Sequence, residues 1–162
     1  MSGWPGAFAV GCIAASIAVC FYFVKRTQSE VARQSVVPDP TVTKLIHFGK
    51  QEECGGLLVR NLFAFSTAYP KRLAQVDDPS GPKSAEILMF APDALVVHVA
   101  AWGNFPTARI QRLAQRPLLT YRGLFEHELH VFGFNEKTGE PSHPLYLPNA
   151  TRLVLWKDAV PA

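Results

Sequence analysis

Cysteine is scarce in this chain: there are three in 162 residues, and no two stand in a C-x-x-C spacing. Cys12 and Cys20 fall in an apolar N-terminal run and Cys54 stands alone, so neither a zinc site nor a disulfide framework is encoded. A reducing setting follows. Internal repeats and low-complexity tracts are missing too, which excludes repeat architectures. A formal net charge of +3, scattered along the chain, is too small to announce a nucleic-acid binder by itself. No motif asks for a cofactor. What remains is ordinary globular composition, 48% hydrophobic, enough for one domain with a real core and a short appendage.

The first event along the chain is WPGAFAVGCIAASIAVCFYFV, residues 4–24, uncharged and followed at once by Lys25-Arg26. Such a run, about 21 residues at helical rise, would span roughly 30 Å, the apolar thickness of a bilayer. Trp4 near one end and Phe21-Tyr22-Phe23 near the other sit where interfacial aromatics are found. On this reading, residues from Trp4 and Ala7 to Val24 cross the membrane, and Lys25 and Arg26 hold a C-terminal domain in the cytoplasm. A secretory signal fits poorly, because no basic residue precedes the run. The competing reading is a buried strand over 17–24, which its β-branched and aromatic residues favour, in a cytoplasmic protein. Three segments result: the apolar piece 1–26, a polar connector 27–38, and an α/β domain over 39–162.

Within that domain, Asp39 and Pro40 predict a helix start, with Val42, Leu45, Ile46 and Gly49 on one face and Gly55-Gly56 as the stop. LLVRNLFAF (57–65) reads as a strand, and a polar, turn-rich connection follows it. A short helix is expected over 84–90. ALVVHVAAW (94–102) is the clearest central strand, nearly all apolar, as parallel strands covered on both faces tend to be. A second long helix runs from Phe105-Pro106 to Arg116, and LHVFGF (129–134) forms a further strand. Alternating strands and helices predict a three-layer α/β fold around a short, central, parallel sheet.

Ligands of such sheets bind beyond the carboxyl ends of the strands. Those ends offer Asn61 and Phe63, then Trp102 and Asn104, then the proline-stiffened GEPSHPLYLP (139–148) carrying His143. Paired amide donors and acceptors with aromatic faces suit a planar, hydrogen-bonding ligand. Each residue also has a plainer role. His143 could cap its own turn, Asn61 could tie two loops together, and Trp102 could plug the core. Phe63 and Phe65 read as core or pocket wall, and Cys54 as a small buried apolar residue. Arg109, Arg112 and Arg116 recur at helical spacing, either for phosphates or as a solvated face. His127, Glu128 and His130 could suggest a metal, but strand alternation puts Glu128 and His130 on one face and His127 on the other, which favours a solvent-exposed strand entry.

DPTVTKL, GGLLVRNLFAF, DDPSGP, VVHVAAWGN and GEPSHPLYLP occur in this order over residues 39–156. Together they resemble a bacterial and phage family of unknown function, DUF1643. That family is distantly similar to the uracil-DNA glycosylase superfamily, which implies a glycosylase-like topology. By the resemblance, Asn61 matches a base-reading asparagine, Trp102-Gly103 a Trp-Gly after the third strand, and His143-Pro144 a loop whose imidazole stabilises a departing base. The partners implied are a nucleobase, a nucleotide or a nucleic acid. One motif departs. Where the family's first strand ends in an Asn-Pro loop matching the water-activating motif, this chain reads Lys25-Arg26-Thr27-Gln28-Ser29-Glu30. Hydrolysis of an N-glycosidic bond needs a positioned water as well as a stabilised leaving group, so binding is expected and catalysis is doubtful. The alternatives are an N-glycosidic hydrolase acting on nucleic acid and a non-catalytic, membrane-tethered interaction protein.

Overall fold

The computed structural model describes residues 7–8, 19–25, 40–63, 65, 69–80, 96–125 and 128–159. Among these residues six strands form one sheet: β1 (Ala7–Phe8), β2 (Val19–Lys25), β3 (Cys54–Asn61), β4 (Val96–Ala100), β5 (Leu129–Val131) and β6 (Val154–Leu155). Their spatial order is β1-β3-β2-β4-β5-β6. Among the described residues three α-helices accompany them, α1 (Pro40–Gln51), α2 (Ala108–Leu124) and the single turn α3 (Trp156–Ala159).

The sheet is mixed, which corrects the expectation of a parallel one. β1 with β3 and β4 with β5 are parallel pairs, but β2 runs antiparallel to both of its neighbours, and β6 to β5. A run such as VCFYFV shows no polar alternation that would reveal its direction, and that is how the reversal escaped the sequence.

The membrane helix needs correction as well. Residues 19–25 are a strand held between β3 and β4, with Val24 opposite Gly56 and Val96, and Lys25 opposite Cys54. Ala7 pairs with Leu57 at the sheet's edge, while Trp4 and Arg26 lie outside the described residues. Among the described residues no helix is long and apolar enough to cross a membrane. A central strand and a spanning helix share the same hydropathy, and here the β-branched and aromatic content was the better guide.

Alternation along β3 and β4 sorts the core into two layers. Leu57, Val59, Val97, Val99 and Ala101 face α1, where Val42, Leu45 and Phe48 meet them together with Phe132. Leu58, Leu62, Ala100 and Trp102 face α2, against Ile110, Ala114, Leu118 and Tyr121, with Leu129 and Val131 from β5. The turn from α1 into β3 takes only Glu52 and Glu53, with Glu53 in the left-handed region at φ 55°. Gly55 and Gly56, expected to stop the helix, belong to β3 instead. So short a turn folds α1 back over β3 and sets its N-terminal end at β3's carboxyl end.

Thr107 caps α2, its Oγ1 accepting from the Ile110 N–H at 3.3 Å. The helix then continues past Pro117, where the sequence suggested a stop. Proline removes one backbone bond at that point, but Leu118 and Tyr121 beyond it are buried, and their packing outweighs the loss. The helix expected over 84–90 lies outside the described residues.

Candidate ligand site at the carboxyl edge

Asn61 is the last residue of β3 and pairs with Val19 across β2, while Cys20 pairs with Ala100 on the far side. By that register Asn61 and Ala101 stand level, two strand spacings or about 10 Å apart. Strand alternation puts Asn61 on the face of Leu57 and Val59, the α1 face. Its amide Oδ1 is buried and accepts no hydrogen bond.

Two residues beyond Ala101 the backbone of Gly103 takes φ +70°, and a Cβ there would lie 2.8 Å from the Cβ of His143. Only glycine combines that conformation with that approach. The 139–148 segment is thereby seated directly on the end of the β4 chain. Gly103 N–H donates to the Pro141 carbonyl at 2.9 Å, Ser142 N–H to Gly133 O at 2.9 Å, and Asn135 N–H to Glu140 O at 2.8 Å. The Trp102 indole N–H donates to Glu140 Oε2 at 2.6 Å.

His143 is half-buried and opens the 3-10 turn Pro144–Tyr146, its Nδ1 accepting from the Leu145 N–H at 3.3 Å. It therefore does cap its turn. The same bond fixes the tautomer: a neutral ring that accepts at Nδ1 carries its proton on Nε2, which becomes the donor. The turn packs against α1. Lys44 Nζ donates to the Leu147 carbonyl at 2.6 Å and to Asn149 Oδ1, and Gln51 Nε2 reaches the Asn149 carbonyl at 2.6 Å. The fold thus brings Asn61 and the His143 turn to the same edge and the same face of the sheet.

The other candidates are placed differently. Phe63 (7% exposed) and Trp102 (3% exposed) belong to the α2 layer, where Trp102 lies 5.8 Å from the Trp156 ring. Asn104 is exposed and accepts from the Thr138 hydroxyl at 2.5 Å. Arg109 donates to the carbonyls of Ala74 (2.6 Å) and Val76 (3.2 Å), a structural tie rather than an open cation. No metal-binding group of histidine, cysteine and acidic residues forms among the described residues.

Sequence reasoning passed over His98, at the middle of β4. It is 3% exposed, stacks on Phe125 at 3.9 Å and lies 3.9 Å from Glu128. Burial pushes its pKa down; the Glu128 carboxylate opposes that, and His130 adds to it. A polar residue inside an otherwise apolar strand, VVHVA, was the available signal.

The model of the protein family of unknown function DUF1643 matches residues 27–145, well over half of the chain. The chain belongs to this family. The match takes in Asn61, Trp102-Gly103 and His143-Pro144, and it begins just after β2. No curated protein and no solved structure matches the chain.

Proposed function

We propose that the carboxyl edge on the α1 face binds a nucleobase, a nucleotide or the end of a nucleic acid, with Asn61 and His143 as the recognising pair. The buried, unpaired Asn61 Oδ1 carries this reading. A buried amide oxygen left without a donor costs about 1–3 kcal/mol, which a ligand N–H would recover. An amide offers the paired donor and acceptor that a base edge needs, and the His143 ring is a second polar group at this edge, on the other side of β2. The resemblance to uracil-DNA glycosylases, carried by the same Asn61, Trp102-Gly103 and His143-Pro144, points to the same ligand class.

A hydrolase is the weaker reading. Lys25, where the divergent loop begins, pairs with Cys54, six strand positions from the Val19–Asn61 pair. That places it about 20 Å from the site, at the opposite edge of the sheet. Lys25 itself cannot position a water on a sugar whose base contacts Asn61.

Calorimetric titration with free bases, nucleotides and short oligonucleotides tests the proposal. Binding by at least one of these classes is expected, weakened by about 1–3 kcal/mol in Asn61→Ala or His143→Ala. If none binds, or both variants bind as the parent does, the site is misassigned. Incubation with uracil-containing DNA should produce no abasic sites.

A further inference from the structure

Helix α2 carries Arg109, Arg112, Arg116 and Arg122 and not one aspartate or glutamate. Arg109 is committed to two carbonyls, but Arg112 and Arg116 are exposed, one turn apart, and among the described residues no carboxylate pairs with either. Like charges at i and i+4 repel along a helix, and nothing on α2 offsets them. The same stripe continues through Leu119, 56% exposed, to Gly123, where an added Cβ would meet nothing. There it opens into a groove of about 400 Å³ between α2, β5 and α3. Trp156 and Lys157 form its far wall, and the Arg122 guanidinium lies 4.4 Å from the centre of the Trp156 ring.

We propose that this face of α2 binds single-stranded nucleic acid, Arg112 and Arg116 holding phosphates while a base enters the groove beside Trp156. Planar guanidinium groups match phosphate oxygens two at a time, and an aromatic wall next to a cationic track is how single strands are held without regard to sequence. An anionic membrane would call for a continuous apolar face, whereas the exposed apolar side chains of this helix are the two leucines Leu119 and Leu124. From Arg112 to Gly123 the helix runs about 17 Å, room for a few nucleotides. The inference extends the nucleic-acid branch of the proposed function to a second surface, and it uses residues that the carboxyl-edge site does not.

The test is fluorescence anisotropy of a labelled oligothymidine titrated with the full chain over a range of salt. Binding at about 50 mM salt is expected, with log K falling linearly against log salt. Arg112→Gln/Arg116→Gln should lower that slope by about 1.4, at roughly 0.7 per lost phosphate contact, with the thermal transition unchanged. Lys50→Gln/Lys137→Gln removes two exposed charges elsewhere and should leave the slope alone. An equal loss of slope in that control, or no binding of the oligonucleotide at low salt, would overturn the proposal. So would arginine-dependent binding to phosphatidylglycerol vesicles without oligonucleotide binding. Asn61→Ala/His143→Ala should keep the slope. If instead that pair lowers it and the arginine pair does not, the phosphates are held at the carboxyl edge, and the α2 surface fails while the base site stands.

Discussion

The two faces of the sheet are built on different terms. Buried members of the α1 layer are aliphatic or aromatic apart from Thr41, Cys54 and the Asn61 amide oxygen at its carboxyl edge, and the polar contacts on that side, from Lys44, His47 and Gln51, lie at its surface with the 147–149 segment. The α2 layer takes polar rings inside: His98 against Phe125, Tyr121 fully buried, and Trp102 bonded to Glu140. One layer is held by area and shape. The other depends in part on groups whose protonation and hydrogen bonding must come out right. Stability should therefore respond to volume on the α1 side and to pH on the α2 side.

Deleting residues 1–26 should have the largest effect, since β2 is the strand both layers share. The expected product lacks cooperative unfolding in urea and binds hydrophobic dyes. Trp102 and Trp156, the only tryptophans left, both lie against the α2 layer, so their emission reports on that layer alone. Native-like emission from the truncated chain would show that β4, α2 and β5 stand without β2, and the two layers would then be separable.

Phe48→Ala comes next. The ring is 1% exposed and lies 4.4 Å from Phe132. Removing it should cost about 3–5 kcal/mol by urea unfolding, the transfer and cavity terms together. The loss should not vary with pH between neutral and mildly acidic conditions. A pH-dependent loss that persists in His47→Gln, which removes the imidazole 5.7 Å from the Phe48 ring, would mean that the α1 layer is coupled to the titrating groups across the sheet.

Gly103→Ala is expected to cost less, about 1–2 kcal/mol for the left-handed backbone, with an added strain where the new methyl meets His143. Its larger consequence is positional. The 139–148 segment must lift from the end of β4, so ligand binding at the carboxyl edge should fall by more than stability does. Unchanged affinity in this variant would separate His143 from the site.

Much of this arrangement could be read in the sequence where period and punctuation agree. Pro40 as a helix start, the strand character of 96–100, and Asn61 at the end of a strand all follow from local chemistry. Strand direction did not, because β2 has no polar face to give it a register. Gly55-Gly56 misled for a related reason: glycine fits a helix stop and a strand crowded by neighbours equally well, and only the left-handed Glu53 shows which was used. The contact between Gly103 and His143 joins segments 40 residues apart in a way that no local rule anticipates.

The smallest effect expected, and the most direct probe of the two-layer difference, is the titration of His98. Burial under Phe125 depresses its folded pKa below the ordinary 6.5. Between the folded and ordinary values the unfolded chain binds the extra proton and the folded chain does not, so stability rises with pH through that window. The contribution is whole above about 6.5 and is lost as pH falls through the folded pKa. Glu128, 3.9 Å away, favours the cation and blunts the effect, but its side chain is 74% exposed and its pull is screened by solvent. His98→Phe keeps a flat ring for the stack and removes the proton, so its urea midpoint should decline less between neutral and mildly acidic pH. Glu128→Gln should decline more steeply than the parent, because the opposing charge is gone. Phe48→Ala should shift the whole curve downward without changing its slope. If His98→Phe keeps the parent's slope, the acid sensitivity arises elsewhere, and the contrast between the two layers is one of shape alone.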